Sequence, residues 1–254
     1  MTGRDFYYNK SKQEGYRSRA AYKLKQLDRA EDLLHDGKTV VDLGAAPGGW
    51  LQVAAEAVGD SGTVIGVDRQ RIDPIDGVET VRGDMTEEST KDEVRELAGE
   101  SVDAVVSDMA PNMTGEYSVD HARSVHLARQ AFETALDVLD AGGDFAVKVF
   151  EGRDLDDLRT DIEEEFQYVR TLRPDASRDS SSEIYLVAKG RLTAPVREGD
   201  RLEVEIVDEG SEGDGVAKVE GYTLFVPGAE EGETVEVAVT EVKPRFGFAE
   251  VVAE

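Results

Sequence analysis

Cysteine is absent from this 254-residue chain, and histidine is scarce. Without thiols the protein can form neither a disulfide framework nor a thiolate metal site. The three histidines, His35, His121 and His126, do not follow zinc-ligand spacing. We therefore predict no metal site and no catalytic histidine.

Long apolar runs are also missing. None approaches the roughly 20 residues that span a bilayer, and the N-terminal residues are polar and charged, unlike a signal peptide. We expect a soluble, cytoplasmic protein that does not bind a membrane, and no segment indicates an obligate protein partner. The length suits one large domain, or one medium and one small domain.

Positive charge is in short supply. Lys and Arg total 29 against 55 Asp and Glu, a net charge of −26, which should repel nucleic acid at ordinary ionic strength. Either the protein never meets nucleic acid, or it is adapted to molar salt, where the Debye length falls to about 3 Å. Because the acids are spread over segments with regular strand and helix patterns, we favour adaptation to a halophilic cytosol.

The first 25 residues reverse this acidity, with seven basic residues, two acidic ones and five interleaved aromatics. Cations suit phosphates, and aromatic faces suit bases. We predict a nucleic-acid surface here that includes Arg4, Lys10, Lys12, Arg17 and Arg19. The alternative is a positively charged helix that is merely solvated.

A glycine-rich turn follows the first apolar run, at Val41–Trp50, and leads into the helical segment Trp50–Val58. A strand, a glycine turn and a helix N-terminus hold nucleotide-like cofactors in doubly wound sheets. The turn has no G-x-G-x-x-G pattern, and Pro47 removes an N–H donor that a phosphate would need. These features favour a cofactor without a pyrophosphate, such as S-adenosylmethionine (SAM), over a dinucleotide.

Two acids at strand ends support a cofactor site. Asp68 follows the run Thr63–Val67, at the position where a carboxylate accepts hydrogen bonds from ribose hydroxyls. Asp84 follows the next short run and is placed to meet an adenine amino group.

Strand-like and helix-like segments alternate along most of the chain, which predicts a doubly wound, mostly parallel seven-stranded α/β sheet. Helices are indicated at Arg19–Leu34, Asp120–Leu139 and Asp154–Glu165. The last two strand-like runs lack a helix between them, so one of them should pair antiparallel. The seven runs are Thr39–Leu43, Thr63–Val67, Glu79–Arg82, Val102–Ser107, Gly143–Phe150, Phe166–Leu172 and Glu183–Lys189.

The pattern changes after Leu192, where short β-like runs alternate with glycine-bearing turns. Five such runs in about 60 residues suggest a small barrel of the oligonucleotide-binding type. We predict domains at 1–190 and 191–254, joined by a linker at Gly190–Asp200. The five runs are Arg201–Val207, Gly215–Val219, Tyr222–Val226, Thr234–Val242 and Phe246–Val252.

Four charged residues stand out as candidates for chemistry. Lys148 lies inside an apolar strand, a costly place for an ammonium without a task or partner. Asp108 ends a strand, where ligands bind in parallel sheets. Glu183 begins the last strand of the sheet, and Lys23 lies in the basic N-terminal region.

Several dispersed motifs resemble the FtsJ/RrmJ (RlmE-type) family of ribosomal RNA 2′-O-ribose methyltransferases over roughly residues 4–190. The resemblance implies SAM as cofactor, bound by Gly48, Trp50, Asp68, Asp84 and Asp108. It implies a Lys–Asp–Lys–Glu set around the target ribose, at Lys23, Asp108, Lys148 and Glu183. The implied substrate is a uridine of large-subunit rRNA within the ribosomal particle. The motifs are Arg17–Leu24, Val41–Trp50, Ser107–Met113, Val147–Phe150 and Glu183–Tyr185.

The C-terminal segment resembles a TRAM domain, an RNA-binding barrel, in its Gly213–Ala217, Phe225–Gly228 and Phe246–Ala249 motifs. It carries 16 acids against 6 bases, an unusual balance for an RNA-binding module. Its candidate RNA contacts are Lys218, Lys243, Arg245, Phe225 and Phe246.

A ribose hydroxyl is a weak nucleophile, so methyl transfer needs alignment and removal of a proton. Lys148 is the candidate to accept that proton or to stabilise the developing alkoxide, and the sequence leaves both roles open. Three other functions compete with this one. They are a tRNA or cap 2′-O-methyltransferase, a non-catalytic ribosome-assembly factor, and an NAD-linked oxidoreductase, which the glycine pattern disfavours.

Overall fold

The computed structural model describes residues 3–99, 101–178, 181–210 and 213–252, with the backbone alone at 3–5. The chain divides into two compact units, Met1–Lys189 and Gly190–Glu254. No helix in the described ranges is both long and apolar enough to cross a membrane.

The first unit contains a seven-stranded sheet and six α-helices among its described residues. The helices are α1 (Gly3–Gln13), α2 (Ala21–Glu31), α3 (Gly49–Val58), α4 (Glu88–Ala98), α5 (Tyr117–Val138) and α6 (Leu155–Glu163). The strands are β1 (Thr39–Leu43), β2 (Thr63–Asp68), β3 (Val78–Arg82), β4 (Ala104–Ser107), β5 (Asp144–Phe150), β6 (Phe166–Leu172) and β7 (Glu183–Arg191).

The sheet has the order β3-β2-β1-β4-β5-β7-β6. Strands β1 to β5 pair in parallel, whereas β7 lies antiparallel to β5, with Lys148 opposite Tyr185. This confirms the predicted mostly parallel sheet with an antiparallel strand. The strand order reverses between β1 and β4, and ligands of doubly wound sheets bind at the carboxyl ends of the strands beside that point.

Helices cover both faces of the sheet because successive strand residues point to opposite sides. In β1, Val41 and Leu43 join the core under α4, α5 and α6, whereas Val40 joins the core under α2 and α3. All five residues of β1 are buried. Parallel strands buried on both faces have this continuous apolar character.

Three helices differ from the sequence prediction, and one of them, α4 (Glu88–Ala98), had no predicted counterpart. The helix predicted at Arg19–Leu34 covers only Ala21–Glu31, since Asp32 adopts a left-handed conformation at φ 50° and ends it. The Asp28 carboxylate then accepts a hydrogen bond from the Leu34 N–H at 2.7 Å, which stabilises the exit from the helix. Helix α1 is a separate element that the sequence analysis did not delimit.

The second unit is a closed five-stranded barrel of order β10-β12-β11-β8-β9, as predicted. Val196 lies inside the predicted linker but is buried in the barrel core, so the linker is shorter than the sequence suggested. The strands are β8 (Arg201–Glu209), β9 (Gly215–Val219), β10 (Tyr222–Val226), β11 (Thr234–Val242) and β12 (Phe246–Val251).

Candidate active site

The glycine-rich turn joins β1 to α3 in close contact with its neighbours. Gly44 has φ +74°, and a Cβ built there would lie 2.0 Å from Cγ of Met109. Gly48 has φ +103° and precedes the first turn of α3. Only glycine combines these dihedral angles with so close an approach.

Arg17 holds the turn in place. Its guanidinium donates to the carbonyl oxygens of Pro47 at 3.0 Å, Asp73 at 2.7 Å and Pro74 at 2.7 Å. The sequence predicts that Arg17 is part of a nucleic-acid surface, and in the structure these three bonds also give its guanidinium a structural role. Hydrogen bonding to the backbone at and near the glycine turn therefore explains an arginine at this position, in addition to its charge.

A cavity of about 730 Å³ opens beside the turn at the carboxyl ends of the strands. Gly44, Asp68, Asp84 and Asp108 line it. Asp68 is fixed by the backbone, because its carboxylate accepts from the Ala46 N–H at 3.0 Å and the Gln70 N–H at 2.7 Å. Hydrogen bonds from Thr86 lower the pKa of Asp84 and keep it anionic.

Gly48 and Trp50 are placed differently from the three acids, since neither lines this cavity. The Trp50 side chain is buried, and its indole N–H donates to the Ala20 carbonyl at 2.8 Å. Its ring lies 5.9 Å from that of Tyr185. A cofactor contact from Trp50 would therefore come from its backbone, while the side chain packs against the region preceding α2.

The four charged candidates lie together, although they come from four separate segments of the chain. Lys148 Nζ lies 2.9 Å from Asp108 Oδ1, and Lys23 Nζ lies 3.5 Å from the same oxygen. Lys23 Nζ also lies 2.9 Å from Glu183 Oε1. The side chains of both lysines and of Glu183 are no more than 10% exposed, and that of Asp108 is 19% exposed.

Tyr185 is a fifth member of this cluster that the sequence analysis did not single out. Its buried hydroxyl donates to Asp108 Oδ1 at 2.5 Å, and Lys23 Nζ lies 5.7 Å from its ring centre. Burial, together with Asp108 and Glu183, raises the pKa of Tyr185 well above its usual value, so the phenol stays a donor. A tyrosine two residues after Glu183 was the available signal, since both point to the same side of β7.

Asp108 is the common acceptor of the cluster. Burial acts to raise its pKa, but the charges of Lys148 and Lys23 and the Tyr185 hydrogen bond outweigh this and hold the pKa below its usual range. Lys148 Nζ also donates to the Asp108 carbonyl oxygen. The aspartate is thus an anion with a fixed orientation.

A second cavity, of about 370 Å³, also borders this cluster. Lys23 and Glu183 line it, whereas Asp108 lines the first cavity. Ala110, in the loop after β4, borders both cavities. Different members of the charged cluster therefore face two spaces, each large enough for a small ligand.

Three other basic residues of the predicted N-terminal surface also contact neighbouring groups. Lys10 Nζ lies 4.9 Å from the Tyr22 ring centre and 3.7 Å from Glu14. Lys12 is exposed, 5.9 Å from the Tyr8 ring centre. Arg19 is half-buried and donates to the Ala176 carbonyl at 2.5 Å. The side chain of Arg4 lies outside the described residues.

The barrel presents an aromatic cluster. The rings of Phe225, Phe246 and Phe248 lie 5.7 to 5.8 Å from one another, on the adjacent strands β10 and β12. The predicted cations are less concentrated. Lys218 donates to Thr223 and Lys243 pairs with Glu241, whereas Arg245 is exposed in the turn before β12.

Comparison with known proteins agrees with this architecture. Residues 16–191 match the family model for FtsJ-like methyltransferases, and residues 195–252 match that for the TRAM domain. A protein from Natronomonas pharaonis named Ribosomal RNA large subunit methyltransferase E is 74% identical, over 98% of this chain and 99% of its own. A protein of the same name from Haloarcula marismortui is 68% identical, over 99% of this chain and all of its own.

Both source organisms are halophilic archaea, as the acidic composition predicts. A solved structure from Plasmodium falciparum, described as a candidate ribosomal RNA methyltransferase, is 32% identical with a TM-score of 0.64. It matches 69% of this chain and 98% of its own. The chain therefore belongs to the FtsJ-like methyltransferase family and carries a TRAM domain after its methyltransferase unit.

Proposed function

We propose that this protein transfers a methyl group from SAM to a ribose 2′-hydroxyl of large-subunit ribosomal RNA. The supporting observation is the buried cluster of Lys23, Asp108, Lys148 and Glu183, which borders two cavities. The names of its relatives support ribosomal RNA as substrate. A uridine as acceptor and the ribosomal particle as the substrate form rest on the resemblance of the sequence motifs.

The first cavity fits SAM in size and in chemistry. Asp68 would accept hydrogen bonds from the ribose hydroxyls, and Asp84 from the adenine amino group. Asp108 would lie near the methionine moiety. Gly48 and Trp50 do not line the cavity, so their part in SAM binding would be to shape the glycine turn beside it. When bound, SAM supplies an electrophilic methyl group on a sulfonium. The three carboxylates that line the cavity suit this cationic ligand.

Lys148 is the proposed proton acceptor. A neutral amine has two N–H donors and one lone pair, and Lys148 Nζ contacts the side chain and the carbonyl of Asp108. With its two N–H groups directed to Asp108, the lone pair of neutral Lys148 would face the 2′-hydroxyl of the acceptor. Lys148 would then take the hydroxyl proton as the 2′-oxygen accepts the methyl group that SAM would supply.

Lys23 and Glu183 would orient the ribose from the second cavity. Lys23 contacts both Asp108 and Glu183, so the three side chains hold one another in place before the substrate binds. Such preorganisation lowers the barrier mainly through positioning. The exposed N-terminal cations and the aromatic cluster of the barrel would bind the surrounding RNA.

The deciding experiment incubates the protein in molar KCl with radiolabelled SAM and, separately, large ribosomal subunits, free rRNA and tRNA. Wild type and Lys148→Ala are compared. We expect alkali-resistant label in the rRNA of the subunits, lost in the variant. Label in tRNA alone would mean that tRNA, and not rRNA, is the substrate. If no RNA is labelled although SAM still binds, the result would favour an assembly factor.

A further inference from the structure

We propose that the second cavity is the acceptor subsite, in which Met113 packs on the base of the target nucleotide and Arg178 binds an adjacent phosphate. This inference rests on the proposed function and adds the residues that recognise its RNA substrate. The sequence motifs give no role to Arg178, and they include Met113 only as the last residue of the Ser107–Met113 motif.

The position of the cavity supports this assignment. It reaches Lys23 and Glu183, while the cofactor cavity reaches Asp108, which is 3.5 Å from Lys23 Nζ. A ribose that enters from this side would meet the charged cluster opposite the cofactor. A direct displacement needs that arrangement, because the nucleophile approaches the methyl carbon from the side away from the leaving group.

Ala176, in the wall of the cavity, is held by two hydrogen bonds. It donates its N–H to Gln26 at 2.9 Å and accepts at its carbonyl from Arg19 at 2.5 Å. These two bonds tie the segment after β6 to the region of α2, although about 150 residues separate them in sequence. This part of the wall is therefore preformed, which lowers the entropic cost of ligand binding.

The lining has the chemistry of a nucleotide site. Arg19, Lys23 and Arg178 outnumber its one acid, Glu183, in a protein of net charge −26. Phe150 and Met113 add apolar surface, and Met113 is 64% exposed. An exposed apolar side chain beside local positive charge suits a ligand that combines an aromatic base with phosphate.

The test measures kcat and KM for large ribosomal subunits, with the affinity for SAM measured separately. Met113→Ala and Arg178→Gln should each raise the KM for subunits about tenfold, with SAM affinity unchanged. Arg159→Gln is the charge-matched control, because Arg159 lies on α6 and pairs with Glu163. It should leave KM unchanged.

The salt dependence of KM distinguishes the phosphate contact of Arg178 from the apolar contact of Met113. Raising KCl from the lowest concentration that keeps the protein folded to molar levels should shrink the effect of Arg178→Gln, since phosphate contacts weaken with salt. The effect of Met113→Ala should persist. If wild type methylates subunits and neither variant changes KM, the acceptor binds elsewhere and this inference is wrong. If wild type methylates no RNA, the proposed function fails as well.

Discussion

The two units of this protein use charge in opposite ways. In the methyltransferase unit, the candidate catalytic charges are buried and paired, with Lys148 and Lys23 both within 3.5 Å of one Asp108 oxygen. In the barrel, the candidate cations are at the surface, among 16 acids in residues 191–254. The barrel instead groups three phenylalanine rings on β10 and β12.

Molar salt gives a physical reason for this difference between the two units. Salt screens exposed charges within a few ångströms, whereas buried pairs are screened much less. Chemistry that depends on charge therefore keeps more of its strength when the charges are buried, and RNA binding at high salt would rely more on stacking and shape than on exposed cations. We therefore expect salt to change the contribution of surface cations to RNA binding. It should not change the contribution of the buried cluster to catalysis or that of the phenylalanines to RNA binding.

The largest expected effect comes from Lys148. Lys148→Arg keeps a cation but cannot accept a proton at neutral pH, so the proposed base role predicts a loss of about 10²–10⁴ in kcat at any salt concentration. Single-turnover label transfer with saturating SAM measures this. Near-normal turnover in the arginine variant would leave electrostatic stabilisation as the role of Lys148.

Tyr185→Phe removes the hydrogen bond to Asp108 and should lower the free energy of unfolding by about 1.5–3 kcal/mol, as for bonds to charged groups. Because that bond lowers the pKa of Asp108, its loss should raise this pKa and move the acidic limb of the pH–rate profile to higher pH. Tyr168→Phe is the matched control, since Tyr168 donates to Glu31 at 3.1 Å. An unshifted profile for Tyr185→Phe would make this tyrosine merely structural.

Phe246→Ala tests the barrel. Loss of one stacking ring should weaken RNA binding by about 1–3 kcal/mol, and the loss should be the same in molar as in lower salt. Val251→Ala on the same strand provides the comparison, because Phe246 is 38% and Val251 is 42% exposed. Equilibrium binding to rRNA fragments measures this effect. Equal affinities of the two variants for RNA would contradict an RNA role for the aromatic cluster.

The smallest effect concerns Asp42 in β1, whose side chain is buried and whose Oδ2 has no hydrogen-bond partner among the described residues. Burial, then Asp108 and Asp68, raises its pKa well above the usual value. The folded state thus keeps a proton that the unfolded chain releases, so this residue lowers stability as pH rises above about 4.

Asp42→Asn removes that titration, so the unfolding free energy of the variant minus that of wild type should increase as the pH rises above about 4. Denaturant unfolding at several pH values measures it. Asp76→Asn, at an exposed position, should give a difference that does not change with pH. A flat difference for Asp42→Asn would mean that the carboxyl ionises freely in the fold.

Local patterns explain why so much of the fold is predictable. Runs rich in apolar residues, such as Thr39–Leu43, are strands in the structure because parallel strands buried on both faces need mostly apolar side chains. The glycine turn was recognisable because Gly44 and Gly48 require positive φ. The end of α2 was missed because a left-handed Asp32 leaves no clear signal in the sequence.

The sequence by itself determined the strand and helix elements, the sheet class, the barrel and the acidic, salt-adapted surface, because each depends on local periodicity or composition. Tertiary structure decided which charges meet. It directed Arg17 to the carbonyl oxygens of Pro47 and Asp73, and Tyr185 to Asp108. It also placed Lys23 within 2.9 Å of Glu183, 160 residues away in the chain. Such contacts depend on how strands are ordered and paired, and no local pattern encodes that order.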